Sequence, residues 1–337
     1  MFTKPIFDKP NILVTGGAGF IGSHLCEALL KAGNKVICVD DFTSGSQQNI
    51  DHLLANPDFV FLKHDVTIPM DLETFPELER FKVKFQGVQE VYHLACPTSP
   101  KDFEKMRVAT LLANAHGTVN MLHIAVKYEA KFLLTSSSVV YGARQPGVRF
   151  HREDQYGPVD HLSPRACYDE GKRFAETAVS TYRQHYGVQA KIARIFRTYG
   201  PRQRLRIGEM LPDFIVHALE GKDLVIYGDE SFSTSLTYVD DIVAGLVALM
   251  ASDEGGPMNF GSPDEHRLFD VATMVVAMTG STSPVKFEPP LLFMTPLGLP
   301  DITLARELLG WTPIVRLEDG LKKSIEYAQA HREMLGY

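Results

Sequence analysis

The stretch Thr15-Gly16-Gly17-Ala18-Gly19-Phe20-Ile21-Gly22 constrains this chain more than any other. It follows a β-rich apolar run, Asn11–Val14, and opens a helical pattern over Ile21–Ala32. Gly16, Gly19 and Gly22 make the spacing GxxGxxG. Glycines so placed permit a tight turn and let the backbone at a helix N-terminus approach an anionic group such as a pyrophosphate. The context strengthens the signal. Short β-rich runs at Lys35–Val39, Phe59–Lys63, Glu90–Ala95, Lys131–Thr135 and Lys191–Phe196 alternate with helical patterns, notably Met106–Tyr128 and Tyr168–His185. Such alternation predicts a parallel sheet covered on both faces.

The expected fold class is therefore α/β: a Rossmann doubly wound parallel sheet with a smaller C-terminal substrate-binding lobe. Residues 1–200 read as the dinucleotide-binding part and include the Tyr168 helix. Residues 201–337 read as the smaller lobe, with some chain crossing back. There the loops are rich in Pro and Gly, between helices such as Asp240–Met250 and Leu268–Met278. The second strand ends in Asp40, where a carboxylate can accept hydrogen bonds from the adenosine ribose and repel a 2′-phosphate, so NAD is the expected cofactor rather than NADP. Asp65, after the third strand, is placed to reach the adenine.

A formal net charge of −7 argues against a nucleic-acid partner held by a broad basic surface. No stretch is long enough to span a bilayer, and MFTKPIFDKP carries no signal-peptide core. Cys26, Cys38, Cys96 and Cys167 show no metal-ligand spacing. Cys26, Cys38 and Cys96 lie in apolar runs, where a free thiol acts as a small core residue. The expected location is the reducing cytoplasm.

Tyr168 and Lys172 stand four apart, on one face of a helix. A neighbouring ammonium favours phenolate, so Lys172 is expected to lower the Tyr168 pKa. About thirty residues earlier a strand ends in Thr135-Ser136-Ser137-Ser138, and a hydroxyl there can bond the same substrate oxygen.

Taken with His93-Leu94-Ala95, Asn114 and Val140-Tyr141-Gly142, these features resemble the extended short-chain dehydrogenase/reductases nearly end to end, through Tyr238-Val239-Asp240-Asp241 and Leu308-Leu309-Gly310-Trp311-Thr312-Pro313. Cys96-Pro97-Thr98-Ser99-Pro100, Cys167-Tyr168-Asp169-Glu170-Gly171-Lys172-Arg173 and Ala193-Arg194-Ile195-Phe196 are similar to motifs of the UDP-glucuronate decarboxylases. The resemblance implies that Tyr168 takes the proton of a sugar 4-hydroxyl while C4 gives hydride to NAD, with Ser137 in support. It also implies that Phe20, Ile21, Val66, Leu94, Ala95 and Asn114 bind cofactor, that Pro97 and Ser138 face the substrate, and that the chain forms a homodimer through the helices around Met106–Tyr128 and Tyr168–His185.

The chain departs from the decarboxylases at several positions. Val139 stands where they carry Glu, and Thr234 where they carry an Arg that reaches the nucleotide diphosphate. The arginines that usually precede Pro-Asp-Ile are absent from Thr295-Pro296-Leu297-Gly298-Leu299-Pro300-Asp301-Ile302. Arg197 stands where the family commonly has Asn. It either supplies the missing phosphate-binding cation or forms a structural ion pair. Arg204 matches an arginine that anchors the carboxylate in UDP-glucuronate 4-epimerases, or is a solvated loop residue. Without a carboxyl at Val139 the leading expectation is a nucleotide-sugar 4-epimerase, or a C4 oxidoreductase releasing the ketone. A divergent UDP-glucuronate decarboxylase is the alternative. A non-catalytic nucleotide-binding regulatory protein is a third reading, against which the set Ser137–Tyr168–Lys172 counts.

Overall fold

The computed structural model describes residues 9–98, 103–205, 208–290 and 298–331. Seven strands form one parallel sheet: β1 (Asn11–Thr15), β2 (Lys35–Asp40), β3 (Phe59–Lys63), β4 (Glu90–His93), β5 (Lys131–Ser137), β6 (Ala190–Ile195) and β7 (Met258–Phe260). Their order is β3-β2-β1-β4-β5-β6-β7. The order reverses between β1 and β4, which opens a crevice at the carboxyl ends of those strands, the place where open α/β sheets bind ligands.

Alternation of side chains across the pleat divides the core into two layers. Ile12 and Val14 point into one with Leu25, Cys26 and Cys38. Leu13 points into the other with Met121, Leu122, Phe132 and Val179. The first layer lies under α1 (Phe20–Lys31) and continues into the C-terminal half of the chain. The second lies under the helices α3 (Thr118–Tyr128) and α4 (Ala166–Tyr186), and α2 (Phe103–Leu112) packs on α4. The remaining α-helices of seven or more residues among those described are α5 (Met210–Glu220), α6 (Val239–Ala251), α7 (Leu268–Thr279), α8 (Thr303–Leu309) and α9 (Leu317–Ala330). Among the described residues no helix is long and apolar enough to cross a membrane.

Three local differences from the sequence expectation bear on the site. β4 ends at His93, not Ala95: Leu94 N makes a last bond to Thr15 O (3.0 Å), and the chain then turns outward toward Pro97, which has no N–H for a ladder. β5 runs on to Ser137, paired with Ile195 of β6. The expected single helix over Met106–Tyr128 is interrupted by a wide π turn at Ala113–Gly117, the kind of bulge that re-aims side chains. Here it directs Asn114 inward, where its Nδ2 donates to Thr110 O (2.9 Å) and to Cys96 Sγ (3.1 Å).

The conspicuous C-terminal motifs hold the fold together. Trp311 Nε1 donates to Asp241 O (2.8 Å), Val315 N donates to Asp241 Oδ2 (3.0 Å), and the indole meets Phe260 of β7 edge-on at 5.0 Å. Trp311→Ala removes a buried aromatic ring and leaves the Asp241 carbonyl without its donor. We expect it to cost about 3–5 kcal/mol, read as a lowered midpoint in urea unfolding. A loss below about 1 kcal/mol, the size of a surface change, would contradict this account of the motif.

Candidate active site

The glycine turn is built by close approach. Gly16 has φ +69°, and a Cβ there would lie 2.8 Å from Ala95 N. A Cβ on Gly22 would lie 2.1 Å from Gly16 O. No side chain fits at either point, so bare backbone lines the mouth of the crevice beside half-exposed Gly19, Phe20 and Ile21. That surface suits a flat, phosphate-bearing dinucleotide. Asp40, at the tip of β2, is buried, and Oδ2 accepts from Ala18 N (3.1 Å) while Oδ1 accepts from Phe42 N (2.8 Å). Burial raises its pKa against the pull of those two N–H groups. Asp65 Oδ1 accepts from Thr67 N (2.8 Å), and buried Val66 is held through its carbonyl by Asn120 Nδ2 (2.9 Å).

Across the crevice, β5 and α4 bring Ser137, Tyr168 and Lys172 together. The Tyr168 hydroxyl is hydrogen-bonded to Ser137, whose Oγ accepts from Val139 N (3.4 Å). Lys172 Nζ donates to Thr135 O (3.0 Å) and lies 5.9 Å from the centre of the Tyr168 ring. The ammonium is near enough to help burial depress the neighbouring His93 to about 3. His93 is therefore neutral at working pH, with Nδ1 bonded to Thr15 Oγ1 (2.7 Å). The expected downward shift of Tyr168 is not what the protein shows. Burial pushes the phenol well above its ordinary range, Cys96 adds to that, and the Ser137 bond and Arg165 only partly oppose it. Desolvation of a phenolate outweighs an ammonium that is already bonded to a carbonyl.

Cys96 is also reassigned. It is half-buried at the site, packed with Tyr168 and Val139, because β4 ends before it. Cys26 and Cys38 are core residues as expected. Pro97, Ser138 and Val139 are buried, and Leu94 and Ala95 half-buried, on the same rim. Ser99, Pro100 and residues 295–297 lie outside the described residues. Arg194 backs the loop after β5: its guanidinium bonds Glu176 Oε2 (2.7 Å) and Tyr141 OH (2.9 Å) and stacks on the Tyr141 ring at 4.7 Å.

The C-terminal half faces this rim. Arg197, directly after β6, has one bond among the described residues, a weak one from Nη1 to Met210 Sδ (3.9 Å). Among the described residues no ion pair within 4.0 Å involves it. Thr234 lies in a short ladder opposite His266 and its hydroxyl donates to Ser235 O (3.3 Å), while Arg204 is exposed. Between them the chain is strapped onto the glycine turn. His24 Nε2 bonds Pro201 O (3.0 Å), Asn49 Nδ2 bonds Ala18 O (3.0 Å) and Arg202 O (3.5 Å), and Arg202 Nη2 donates to Glu27 Oε2 (2.5 Å). The sequence reading did not single out Glu209, just before α5. Its carboxyl feels Arg197 and Arg165, and Arg165 in turn bonds Asp169 (2.9 Å) and lies 5.7 Å over the Tyr168 ring. A Glu in a loop between Gly208 and Met210 carries no motif that would have singled it out.

Residues 12–261 match the family model described as the NAD dependent epimerase/dehydratase family. The chain is 41% identical over 320 residues to UDP-glucuronic acid decarboxylase 1 of Danio rerio, covering 95% of this chain and 73% of that one. It is 40% identical over 315 residues to UDP-glucuronic acid decarboxylase 1 of Arabidopsis thaliana, covering 94% and 69%. The fold is similar to the crystal structure of UDP-glucuronic acid 4-epimerase from Bacillus cereus in complex with UDP-glucuronic acid and NAD, with a TM-score of 0.81, 30% identity, and coverage of 95% and 99%. Backbone-lined crevice, buried acid at the second strand and Ser–Tyr–Lys cluster thus occur in a chain that belongs to the NAD dependent epimerase/dehydratase family, an NAD-dependent enzyme of the extended short-chain dehydrogenase/reductase type.

Proposed function

We propose that this enzyme oxidises C4 of UDP-glucuronate and that the resulting ketone loses its C5 carboxylate as carbon dioxide. The observation that carries the reading is the Ser137–Tyr168–Lys172 cluster, its Tyr168 and Lys172 buried, in a chain 41% identical, over 95% of its length, to a UDP-glucuronic acid decarboxylase. NAD, when bound, supplies the hydride acceptor and a positive charge beside a phenol that burial otherwise keeps protonated. Gly16, Gly19, Phe20, Ile21, Gly22, Asp40, Asp65, Val66, Leu94, Ala95 and Asn114 hold it. Tyr168 takes the 4-hydroxyl proton, Ser137 holds the same oxygen, and Lys172 keeps Tyr168 and the Thr135 carbonyl in register.

A carboxylate beside a ketone-bearing carbon needs little further help to leave. The electrons of the C5–C6 bond pass into the C4 carbonyl, and a proton then returns to C5. Buried Val139 therefore does not bar decarboxylation, although it withholds a carboxyl from that side of the sugar. The same absence favours the second reading, a UDP-uronate 4-epimerase, which needs only the ketone. Pro97, Ser138 and Val139 line the sugar side, Thr234 and Arg204 the lobe side, and Arg197 the phosphates. Exposed Val108, Leu111, Phe174 and Tyr186 on α2 and α4 support a homodimer through those helices, and four free thiols support a reducing, cytoplasmic setting.

Incubation of the purified protein with UDP-glucuronate and NAD, followed by mass spectrometry and proton NMR, tests the reaction. Loss of carbon dioxide is expected. Retention of the carboxylate with an inverted C4 signal would replace the decarboxylase by the epimerase. Tyr168→Phe should lower kcat by roughly 10²–10⁴, measured under saturating substrate. Arg197→Ala should raise KM about 10–100-fold, the effect of losing a hydrogen bond to a charged group, with kcat nearly unchanged; an unaltered KM would remove Arg197 from the phosphate site.

A further inference from the structure

Ser137 and Tyr168 belong to one cluster but are carried by different stretches of chain. After Ser137, at the end of β5, the chain leaves the sheet, and it returns only at Ala166, where α4 begins. The excursion over residues 138–165 closes at a narrow neck. Its outgoing limb is the tight turn Ser138–Tyr141, and its returning limb passes at Gly157–Pro158. The two backbones approach so closely that a Cβ on Gly157 would collide with the Tyr141 carbonyl, and one on Gly142 with the Pro158 carbonyl. A single side chain grips both limbs. Arg173, one residue past Lys172 on α4, donates from Nε (3.0 Å) and Nη2 (2.9 Å) to Val140 O, and Nη2 also bonds Gly157 O. Its third nitrogen, Nη1, faces Glu170 at 3.8 Å, a solvated pair of small worth.

The proposed reaction gives Arg173 no task, yet its grip leads to the reacting group. Val140 shares a turn with Val139, whose N–H donates to Ser137 Oγ (3.4 Å), and Ser137 in turn holds the Tyr168 hydroxyl. The Val139 side chain packs on Tyr168. We propose that Arg173 is a positioning residue: by tying Val140 and Gly157 to the helix that carries Tyr168, it sets Ser137 against the Tyr168 hydroxyl. This rests on the roles given to Ser137 and Tyr168 in the reading above. A guanidinium suits the task because its donors point in fixed directions within one plane, so one group holds two carbonyls on separate limbs. An ammonium brings the same charge on a single nitrogen and does not reproduce that fork. The rest of the excursion is anchored independently of Arg173. His151 stacks on the Tyr141 ring at 4.7 Å, Tyr141 OH donates to Asn259 Oδ1 (2.7 Å), and Asn259 N donates to Glu153 Oε1 (2.9 Å). Loss of Arg173 therefore loosens the neck and leaves the fold standing.

The test compares the full chain with its Arg173→Ala and Arg173→Lys variants, each supplied with UDP-glucuronate and NAD. Misplacement of Ser137 should lower kcat roughly 10²-fold in both variants, with KM nearly unchanged. Added guanidinium chloride, well below the concentrations that unfold proteins, should restore part of kcat to Arg173→Ala and none to Arg173→Lys, whose own side chain occupies the slot. Hydrogen exchange followed by mass spectrometry should speed about tenfold or more in peptides spanning 138–142 of Arg173→Ala, the effect of losing a bond from a charged donor. Exchange in β1 and β2 should not change. Full kcat in either variant overturns the inference, as does unaltered exchange over 138–142. A loss spread over kcat and KM that guanidinium does not relieve marks general damage and overturns it too. A parent protein inactive on UDP-glucuronate overturns the reading above, and the exchange result then decides by itself whether Arg173 holds the turn.

Discussion

The site depends on the approach of two backbones at the carboxyl ends of β1 and β4. Gly16 touches the chain at Ala95, and Gly22 touches the carbonyl of Gly16, at distances no side chain tolerates. That contact sets the angle at which α1 leaves the sheet and the height at which the chain after β4 crosses the crevice. Cys96 and Pro97 are placed by it, and so is the wall against which Tyr168 packs. A methyl group at Gly22 would displace backbone rather than a flexible side chain, so the damage would extend from the cofactor side to the sugar side together.

Opposite that wall, polar groups are tied to the strands they follow. Lys172 reaches the Thr135 carbonyl, Thr135 Oγ1 reaches the His93 carbonyl (3.1 Å), and His93 reaches Thr15. One line of bonds therefore runs from the helix that carries Tyr168 across β5 and β4 to the strand that begins the glycine turn. It fixes the spacing between the two halves of the crevice without filling it. The neutral state of buried His93 keeps a second positive charge away from Lys172, which would otherwise cost stability in a region remote from solvent.

Most of the cofactor half was legible because its signals are local. The glycine turn, Asp40 and the strand runs of apolar residues each declare their role over a few positions, and the six expected strands fall within two residues of β1 to β6, while β7 (Met258–Phe260) was not among them. Tyr168 and Lys172 were legible as a helical pair. Their electrostatics were not, since the pKa of a phenol depends on how much solvent remains, which is a property of the packed structure. Cys96 was misread for a related reason: an apolar run does not announce where its strand ends. The π turn at Ala113–Gly117 and the position of Glu209 depend on packing between distant segments, and a spacing rule has no access to them. Val139 is a single position, whereas the 41% identity to a UDP-glucuronic acid decarboxylase is spread over 320 residues, so one side chain is a narrow basis for reading the reaction from sequence.

The strap at Pro201–Arg202 has a practical corollary for building chimaeras. A cut at residue 200 looks natural, since strand–helix alternation loosens there. It would separate Pro201 and Arg202 from His24, Asn49 and Glu27, and would also exchange β7, which completes the sheet edge beside β6. The foreign lobe would arrive without its matching hooks, and Glu27, whose carboxyl is held near 2 by Lys31 and Arg202 against the upward pull of burial, would lose one of its two cations. The segment after residue 200 is exchangeable between relatives only together with the outer face of α1. The recombinable unit in this enzyme is therefore discontinuous along the chain, and crossover points chosen by sequence position alone would miss it.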